Sequence, residues 1–413
     1  MSRRTQLTAL LIAVAATAAW TSLQSPPALS PQPGPPPAAA TPGGGVGGGG
    51  GNIAGPVGAP EYERLLEAAA GAPLAPARLR ALASAAMELF EAKLDAEAEA
   101  LGDDDWRISF ARLRQNHPAD DQATLESYRR HLRLARDFSR TQGLVSLPDS
   151  GVTVAEIANP FFQRSFSLAM YLDRRLAVTL RQPDPEEAAE RSSSPAQDPP
   201  PPEPRLEENP YLQNHCGVCI PPLVVHEAWP GHHVAYERAA ALGLERRELL
   251  TANRRNVVYH EGWALYAEWL VLTAVPEGGG FYSGPAERLG AWRMLYLRAL
   301  RASLDPALHD GTVAPETARG MYRDLAGMSE RAAGSEVERH LRDPVMKASY
   351  FIGLLQILQL RSLVTAGEDP ASLLDFHDRL LGLPRTIPRI AREEFGVELE
   401  PLGSLPPLLA EGG

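Results

Sequence analysis

Prolines are concentrated in two stretches of this chain, and these stretches limit what the rest of it can fold into. Residues 26–60 hold 10 of the 38 prolines, and residues 183–205 hold another 8. Because proline lacks an amide hydrogen and fixes φ, such stretches do not pack into a hydrophobic core. Outside the first 60 residues and the second stretch, 330 of the 413 residues remain. That is enough for one large domain or two closely joined ones.

The composition then excludes several classes of protein. Hydrophobic residues make up 44% of the sequence, the formal net charge is −11, and only 2 cysteines are present. These values exclude a collagen-like chain, a small disulfide-rich domain and a wholly disordered chain. The acidic balance also argues against nucleic acid as a partner, because broad nucleic-acid-binding surfaces are cationic.

The N-terminal residues carry an export pattern. Arg3 and Arg4 precede a 13-residue apolar run, Leu7–Ala19, that ends in small residues. This arrangement is typical of a secretory signal, whereas a membrane-spanning helix needs about 20 apolar residues. We predict a signal peptide over residues 1–25 and a disordered Pro/Gly-rich linker over 26–60. The protein would be periplasmic or secreted, with no stable membrane insertion after signal removal. An uncleaved single anchor is the alternative.

The rest of the chain has mainly helical patterning, because apolar residues recur at helical spacing among Ala, Leu, Glu and Arg. We predict helices over residues 77–101, 123–142, 223–242, 248–274, 285–304, 314–332, 344–366 and 370–382. Val152–Val154, which follows a group of turn residues, and Ser165–Tyr171 predict short strands. The expected fold class is mainly α: a large helical domain with one small β-sheet, in which residues 183–205 form an inserted loop.

Histidines cluster in one part of the chain. Five of the ten fall within 46 residues: His215, His226, His232, His233 and His260. Such clusters are typical of metal sites, because neutral imidazole and carboxylate are the ligands that Zn²⁺ prefers. The segment that begins His226-Glu227 resembles the His-Glu-x-x-His helix of zinc hydrolases, in which two histidines one turn apart bind metal and the glutamate polarises water.

The spacing in this segment departs from that pattern. His232 follows His226 by six residues, so on a regular helix the two side chains would point apart, with a rotation of about 600° between them. His233 would face correctly, yet it would lie about 10.5 Å along the axis. Pro230 predicts a kink or bulge, because it cannot bond the carbonyl group of His226. If Pro230 and Gly231 loop out, His232 returns to the metal-binding face. His233 stays open as the alternative ligand.

A third ligand is expected on a helix downstream. Glu261 lies 29 residues after His232, and the adjacent Gly262 permits close approach of another helix. Glu268 lies on the same helical face two turns later, which suits a residue that orients a metal ligand. The alternative for each glutamate is a solvated charge on the helix surface. The histidine cluster favours the metal-binding interpretation.

These strings together resemble the bacterial domain-of-unknown-function family 885, within the wider gluzincin-like zinc metallopeptidases. The resemblance rests on Gln142–Leu144, Asn159-Pro160, His226–His233, Glu261–Glu268, Arg301 with Asp305 and His309, Glu336–Arg339, Ser349-Tyr350 and Phe376–Asp378. The resemblance covers about residues 77–395 and implies a helical zinc-peptidase-like fold with a central groove, in a domain that we assign to residues 61–413. It also implies His226, His232 and Glu261 as Zn²⁺ ligands and Glu227 as the general base.

A peptidase also needs a donor for the developing oxyanion. Tyr350 is the first choice, with Arg301, His309 and Arg339 as further candidates. The alternative for the two arginines is a structural role in helical pairs with Asp305 and Glu336. His309 and His377 fit a site wall and a hydrogen-bonded core equally well. Trp229, Trp263 and Tyr266 fit core packing better than substrate contact.

We therefore predict an exported zinc-dependent hydrolase, a peptidase acting on oligopeptides through a metal-activated water. The alternative is a catalytically degenerate peptide-binding or scaffold protein on the same fold, which is consistent with Met346 and Phe351 standing where relatives commonly carry Gln and Lys. A third possibility is a thiol–disulfide protein built on Cys216 and Cys219. The simpler interpretation of this cysteine pair is a local disulfide before the His226 helix.

Overall fold

The computed structural model describes residues 55–157, 168–180, 210–245, 256–274, 280–365, 370–382 and 384–411. The predicted signal peptide and the Pro-rich segment 183–205 lie outside the described residues, so both stay predictions. Within the described residues, no helix combines the length and the apolarity needed to cross a bilayer. The chain is mainly helical, with one small sheet.

Among the described residues, four helices precede the sheet: α1 (Ala59–Ala70), α2 (Pro76–Ala100), α3 (Trp106–Leu113) and α4 (Asp121–Thr141). The predictions over 77–101 and 123–142 are thereby confirmed to within two residues. Helix α1 begins inside the stretch assigned to the linker, because Pro60 suits a first helical turn and Tyr62 and Leu66 are buried. Helix α3 was not predicted. It begins at an N-cap, where the Asp105 side chain accepts a hydrogen bond from the Arg107 amide.

The predicted small sheet is present and has three strands: β1 (Thr153–Glu156), β2 (Ala169–Tyr171) and β3 (Arg175–Val178). Strand β3 lies in the middle, parallel to β1 and antiparallel to β2. The strand predicted over Ser165–Tyr171 begins at Ala169, and residues 165–167 lie outside the described residues. The sheet places the main chain of Tyr171 beside the histidine-rich segment.

From residue 210 onwards, the part of the chain that the structure describes holds a 3₁₀ helix followed by ten α-helices. They are the 3₁₀ helix Pro210–His215, α5 (Ile220–Glu227), α6 (His232–Ala241), α7 (Val257–Thr273), α8 (Pro285–His309), α9 (Pro315–Ala326), α10 (Glu330–Arg342), α11 (Met346–Val364), α12 (Pro370–Leu380), α13 (Ile387–Phe395) and α14 (Pro407–Glu411).

Two of the predicted helices are wrong as single elements. The stretch 223–242 is divided into α5 and α6, which is consistent with the break expected at Pro230. The stretch 314–332 is divided into α9 and α10. Gly327 takes a left-handed conformation with φ 62°, and the Ser329 side chain caps the next helix by accepting from the Ala332 amide.

Helices α7, α8 and α11 form the centre of the molecule. Helix α8 is buried along almost its whole length after Leu289 and packs against both α2 and α11. Helices α7 and α11 cross at Gly262 and Gly353, where a Cβ atom on Gly262 would lie 2.4 Å from the Cα atom of Gly353. The close approach expected at Gly262 is thereby confirmed. It brings the metal-ligand candidate on α7 towards α11.

Candidate metal centre

The break between α5 and α6 depends on residues 228–231. Helix α5 ends at Glu227, the Trp229–Pro230 peptide bond is cis, and α6 begins at His232. The Gly231 amide donates to the Val225 carbonyl over 3.0 Å, and a Cβ atom on Gly231 would lie 1.9 Å from the His226 carbonyl oxygen. Only glycine fits at this position. The interruption expected at Pro230 is therefore present, although it spans four residues rather than two.

The break brings two histidines together. The ring centroids of His226 and His232 lie 4.8 Å apart with nearly perpendicular planes. The Nε2 atom of each ring lies 3.4 Å from the same carboxylate oxygen, Oε2 of Glu261 on α7. Ligand atoms held ~2.05 Å from one tetrahedral Zn²⁺ ion are ~3.3 Å apart. The three side chains therefore fit a single small cation.

The carboxylate oxygen at this point lacks a hydrogen-bond partner. Oε2 of Glu261 is buried and makes no hydrogen bond to any described residue. On the other side of its ring, Nδ1 of His232 is also buried without a hydrogen bond to a described residue. A buried carboxylate oxygen without a hydrogen-bond partner destabilises the folded protein unless it interacts with a cation. Glu261 and His232 keep 15% and 11% of their side-chain exposure, so neither side chain is fully enclosed by protein.

The electrostatic balance also favours a cation. Burial by itself would raise the pKa of Glu261, yet the adjacent His232 and His226 hold that pKa well below its usual range. Burial lowers the pKa of His226, but the neighbouring carboxylate groups of Glu261 and Glu268 outweigh it and raise the pKa to about 9. The surroundings of His226 therefore stabilise positive charge, which a bound metal ion would supply in place of the proton.

Glu268 orients the first histidine. Its Oε1 atom accepts a hydrogen bond from His226 Nδ1 over 2.7 Å, and Nη2 of Arg298 lies 3.3 Å from the same oxygen. Because Nδ1 donates to this carboxylate, the lone pair of Nε2 is directed at Glu261 and His232. Arg298 was not singled out in the sequence, although its position three residues before Arg301 on one face of α8 could have indicated it.

Glu227 is held by the small sheet. Its Oε2 atom accepts a hydrogen bond from the Tyr171 amide on β2 over 2.7 Å. Burial raises the pKa of Glu227, and the nearby charge of Glu261 adds to this, against the opposite effect of His226 and His232. A buried carboxyl group with a raised pKa, beside a candidate metal position, has the properties of a general base. The sequence did not indicate the contribution of Tyr171.

Tyr350 lies against the same group of residues. Its ring stacks on the His226 ring at a centroid distance of 5.8 Å and an angle of 17°. The guanidinium groups of Arg298 and Arg301 lie 5.7 Å and 5.8 Å from the Tyr350 ring. Burial raises the pKa of Tyr350, so the phenol stays protonated and able to donate a hydrogen bond. This is the chemistry expected of an oxyanion donor.

The partner expected for Arg301 is wrong. Arg301 binds Glu336 on α10 through two hydrogen bonds of 2.7 Å, rather than Asp305 one turn along its own helix. Asp305 instead accepts from the Tyr62 hydroxyl and pairs with His340. These tertiary contacts override the local i, i+4 spacing, because bidentate pairing satisfies the buried guanidinium group better.

The pair expected between Arg339 and Glu336 is present at 3.7 Å.

Three other candidate histidines, His309, His377 and His233, make hydrogen bonds inside the protein. His309 donates to the His340 carbonyl over 2.9 Å, and His377 Nε2 accepts from the Tyr266 hydroxyl over 2.7 Å. His233 Nε2 donates to the Ser150 carbonyl over 3.1 Å, and its Nδ1 accepts from the Tyr171 hydroxyl. Because both nitrogens of His233 are already engaged, the geometry favours His232 over His233 as the ligand.

Trp229, Trp263 and Tyr266 are all almost fully buried, as expected for residues that pack in the core.

The two cysteines form a local disulfide. Cys216 and Cys219 are bonded to each other, and Cys216 is fully buried. Cys219 is the residue immediately before α5, so the bridge fixes the chain as it enters the helix that carries His226. The structure thus agrees with the simpler interpretation of this pair.

Comparisons with known proteins agree with these observations at the level of family and fold. Residues 188–383, which include all the candidate metal ligands, match the family described as "Bacterial protein of unknown function (DUF885)". No curated protein matches the chain.

Two solved structures have a similar fold. One, from Colwellia psychrerythraea, is described as a "putative lipoprotein"; it is 19% identical with a TM-score of 0.64, covering 83% of this chain and 56% of that one. The other, from Shewanella oneidensis, is described as "a putative lipoprotein of unknown function". It is 17% identical with a TM-score of 0.63, and the match covers 82% of this chain and 59% of that one. The chain thus spans less than two thirds of either protein. At these identities the likeness shows the fold alone, while the match over residues 188–383 supports the resemblance to the DUF885 family.

Proposed function

We propose that this protein is an exported zinc-dependent hydrolase that acts as a peptidase on oligopeptides. The observation that carries the proposal is the convergence of His226 Nε2 and His232 Nε2 on the buried, unpartnered Oε2 atom of Glu261. Two imidazoles and one carboxylate that leave a position open are the ligand set of catalytic zinc sites in peptidases. This donor set also supports the gluzincin-like relationship inferred from the sequence.

Each residue of the site then has a chemical role. When bound, zinc supplies Lewis acidity that lowers the pKa of a water molecule at the site and polarises a carbonyl group. Glu227 accepts the proton of the attacking water and passes it to the leaving amine. Tyr350 donates to the oxyanion that develops on the carbonyl group. Glu268 and Arg298 keep His226 in the tautomer that binds metal.

Export is part of the proposal for three reasons. The N-terminal residues carry the pattern of a secretory signal. Two proteins of similar fold are described as lipoproteins, which are exported. The disulfide between Cys216 and Cys219 is also consistent with an oxidising compartment. The central groove implied by the resemblance belongs to the proposal as well, as the place where the peptide would lie.

The departure at Phe351 does not weaken the catalytic proposal. Phe351 is fully buried and belongs to the hydrophobic core. Its substitution is therefore a change in packing between helices. The binding-protein alternative keeps the same site and differs only in turnover, so the activity measurement decides between them.

The test is hydrolysis of a mixed oligopeptide library by the zinc-loaded full chain, followed by mass spectrometry, for the wild type and for Glu227→Gln. We expect cleavage by the wild type and a loss of about 10²–10⁴-fold in rate for Glu227→Gln, because general-base catalysis contributes that much. Zinc content should be unchanged in the variant. Stoichiometric zinc without any cleavage by the wild type would favour the binding protein. Equal rates for both proteins would contradict the role of Glu227.

A further inference from the structure

Three cationic side chains surround the carboxylate group of Glu336. Arg301 binds it over 2.7 Å, Lys347 Nζ lies 3.3 Å from it, and Arg339 lies 3.7 Å from it. The four side chains come from α8, α10 and α11, and we call them the Glu336 cluster. Their formal charges sum to a positive excess, since one carboxylate faces three cations.

An unpaired nitrogen atom and two shifted pKa values in the Glu336 cluster are consistent with this positive excess. Nη2 of Arg339 is buried and makes no hydrogen bond to any described residue. Burial and the charge of Arg301 lower the pKa of Lys347 well below its usual range, although Glu336 lies beside it. Arg301, Lys347 and Arg339 hold the pKa of Glu336 well below its usual range, although burial alone would raise it. Buried cations without a matching anion are costly, so a second carboxylate would stabilise this cluster.

The cluster lies close to the proposed catalytic residues. Its Arg301 guanidinium group lies 5.8 Å from the Tyr350 ring, and the His226 ring lies 5.8 Å from the same ring. An extended peptide advances by about 3.5 Å per residue. Two to three residues of an extended peptide therefore match the separation between His226 and the Arg301 guanidinium group, which is at most the sum of these two distances. Arg339 keeps 14% of its side-chain exposure, so part of this side chain is open to solvent.

We propose that the Glu336 cluster binds the free C-terminal carboxylate of the peptide, so that the protein releases two to three residues from the C-terminal end of its substrate. The inference rests on the proposed peptidase function and adds the substrate class. Arginine matches a carboxylate by paired hydrogen bonds, and a peptide that lacks the terminal charge would leave the cations unpaired. An internal peptide bond or a C-terminal amide would therefore be a poor substrate.

The test measures binding of three peptides to the zinc-loaded full chain carrying Glu227→Gln, so that no peptide is consumed. The first is acetyl-trialanine with a free carboxylate, the second is its C-terminal amide, and the third is the amide with glutamate as its middle residue. Isothermal titration calorimetry gives each Kd. We expect the free acid to bind at least about 10-fold more tightly than the amide, a difference of about 1.4 kcal/mol.

The third peptide distinguishes the two sources of a carboxylate. We expect it to bind as weakly as the plain amide, because its charge cannot reach the position of a chain terminus. Binding as tight as that of the free acid would overturn the assignment to a C-terminal carboxylate. Equal affinity for the free acid and the plain amide, or no detectable binding of the free acid, would overturn the anion site itself.

Variants locate the effect in the cluster. Arg339→Gln and Lys347→Gln should each reduce the acid-to-amide preference towards 1, whereas Arg339→Lys, which keeps the charge, should retain part of it. Lys93→Gln is the matched control: Lys93 is the other lysine of the chain and lies on α2, away from the cluster, and its variant should keep the full preference. Far-UV circular dichroism and zinc content show that each variant is folded. A preference that survives both glutamine substitutions would contradict the proposal.

Failure of this inference can be told apart from failure of the proposed function. A protein that binds zinc and cleaves peptides, yet shows no preference for the free acid, would overturn only the anion site. A protein that shows the preference but cleaves nothing would overturn only the peptidase function. If both hold, mass spectrometry of the wild-type products should show C-terminal fragments of two to three residues.

Discussion

The side chain of Glu268 does not face the proposed metal position, yet it determines how His226 presents itself there. It is almost fully buried on α7 and accepts the Nδ1–H group of His226 over 2.7 Å. Its partner Arg298 is also buried, so neither charge is screened by solvent. A carboxylate in this position increases the basicity of the imidazole and fixes its orientation.

Replacement of this carboxylate should weaken zinc binding. For Glu268→Gln we expect the zinc Kd to rise about 10–100-fold, because the amide is a poorer acceptor for His226 Nδ1–H. The measurement is competition with a chromophoric chelator. Glu237→Gln is the control, since Glu237 binds Ser150 and Arg174 away from the ligands. An unchanged zinc Kd in Glu268→Gln would contradict the orienting role.

At the scale of elements, the contact between α7 and α11 determines where Glu261 lies. A Cβ atom on Gly262 would lie 2.4 Å from Gly353 Cα, and one on Gly353 would lie 2.1 Å from the Val258 carbonyl oxygen. Neither contact can be relieved by a side-chain rotation, because backbone atoms are involved. The two helices would have to move apart, and Glu261 would move with α7.

Gly262→Ala should therefore destabilise the fold. We expect a loss of about 1–3 kcal/mol in the free energy of unfolding, the usual cost of overpacking. Gly320→Ala is the matched control on α9: its nearest neighbour would be the end of the Arg323 side chain at 3.8 Å, so the change should stabilise the helix by about 0.5–1 kcal/mol. Urea unfolding measures both. A neutral Gly262→Ala would show that α7 and α11 can separate at no cost.

Element positions were predicted well where the sequence signal is local. The long helices α2 and α4 follow apolar periodicity, and the break before His232 follows from Pro230. The end of α9 at Gly327 also had a local signal that was not used, namely a glycine followed by a capping Ser329. The pairing of Arg301 with Glu336 could not be predicted, because the two residues lie 35 positions apart and meet only through packing of α8 on α10.

At the scale of the whole molecule, buried neutral histidines link stability to pH. Burial lowers the pKa of His215 to about 4 and that of His377 to about 3, although hydrogen bonds to the Thr179 and Leu144 carbonyl groups oppose this. In the unfolded chain each histidine has a pKa near 6.5. Between these values the unfolded state binds more protons, so stability falls as pH decreases below about 6.5.

Removal of one such histidine should reduce this pH dependence. Each group contributes a slope of about 1.4 kcal/mol per pH unit where the unfolded chain is protonated and the folded chain is not. Between pH 6 and 5, we expect His215→Gln to have a smaller slope of the free energy of unfolding than the wild type, by about 1 kcal/mol per pH unit. Urea unfolding in the presence of a metal chelator gives the slope. Identical slopes would mean that His215 is protonated in the folded protein.

The candidate site could be predicted in part because its residues lie in short strings. His226, Glu227 and His232 fall within seven positions, and Glu261 and Glu268 follow on one helix. The Arg339–Glu336 pair could be predicted, whereas the contacts of Arg301 and Lys347 with Glu336 and of the Tyr171 amide with Glu227 could not. These contacts depend on the packing of α8, α10, α11 and β2. The sequence therefore indicates the residues for metal chemistry, whereas the residues proposed for substrate recognition depend on tertiary structure.

The central claim is that His226, His232 and Glu261 hold one zinc ion, and adjacent histidines on α6 provide the most direct test. The measurement is zinc content by plasma mass spectrometry for the tag-free wild type, His232→Ala and His233→Ala, each checked for folding by circular dichroism. We expect one zinc ion per chain in the wild type and loss of zinc in His232→Ala. We also expect one zinc ion per chain in His233→Ala, because the His233 side chain binds Ser150 and Tyr171 instead. Full zinc content in a folded His232→Ala, or no zinc in the zinc-supplemented wild type, would contradict the proposed zinc site.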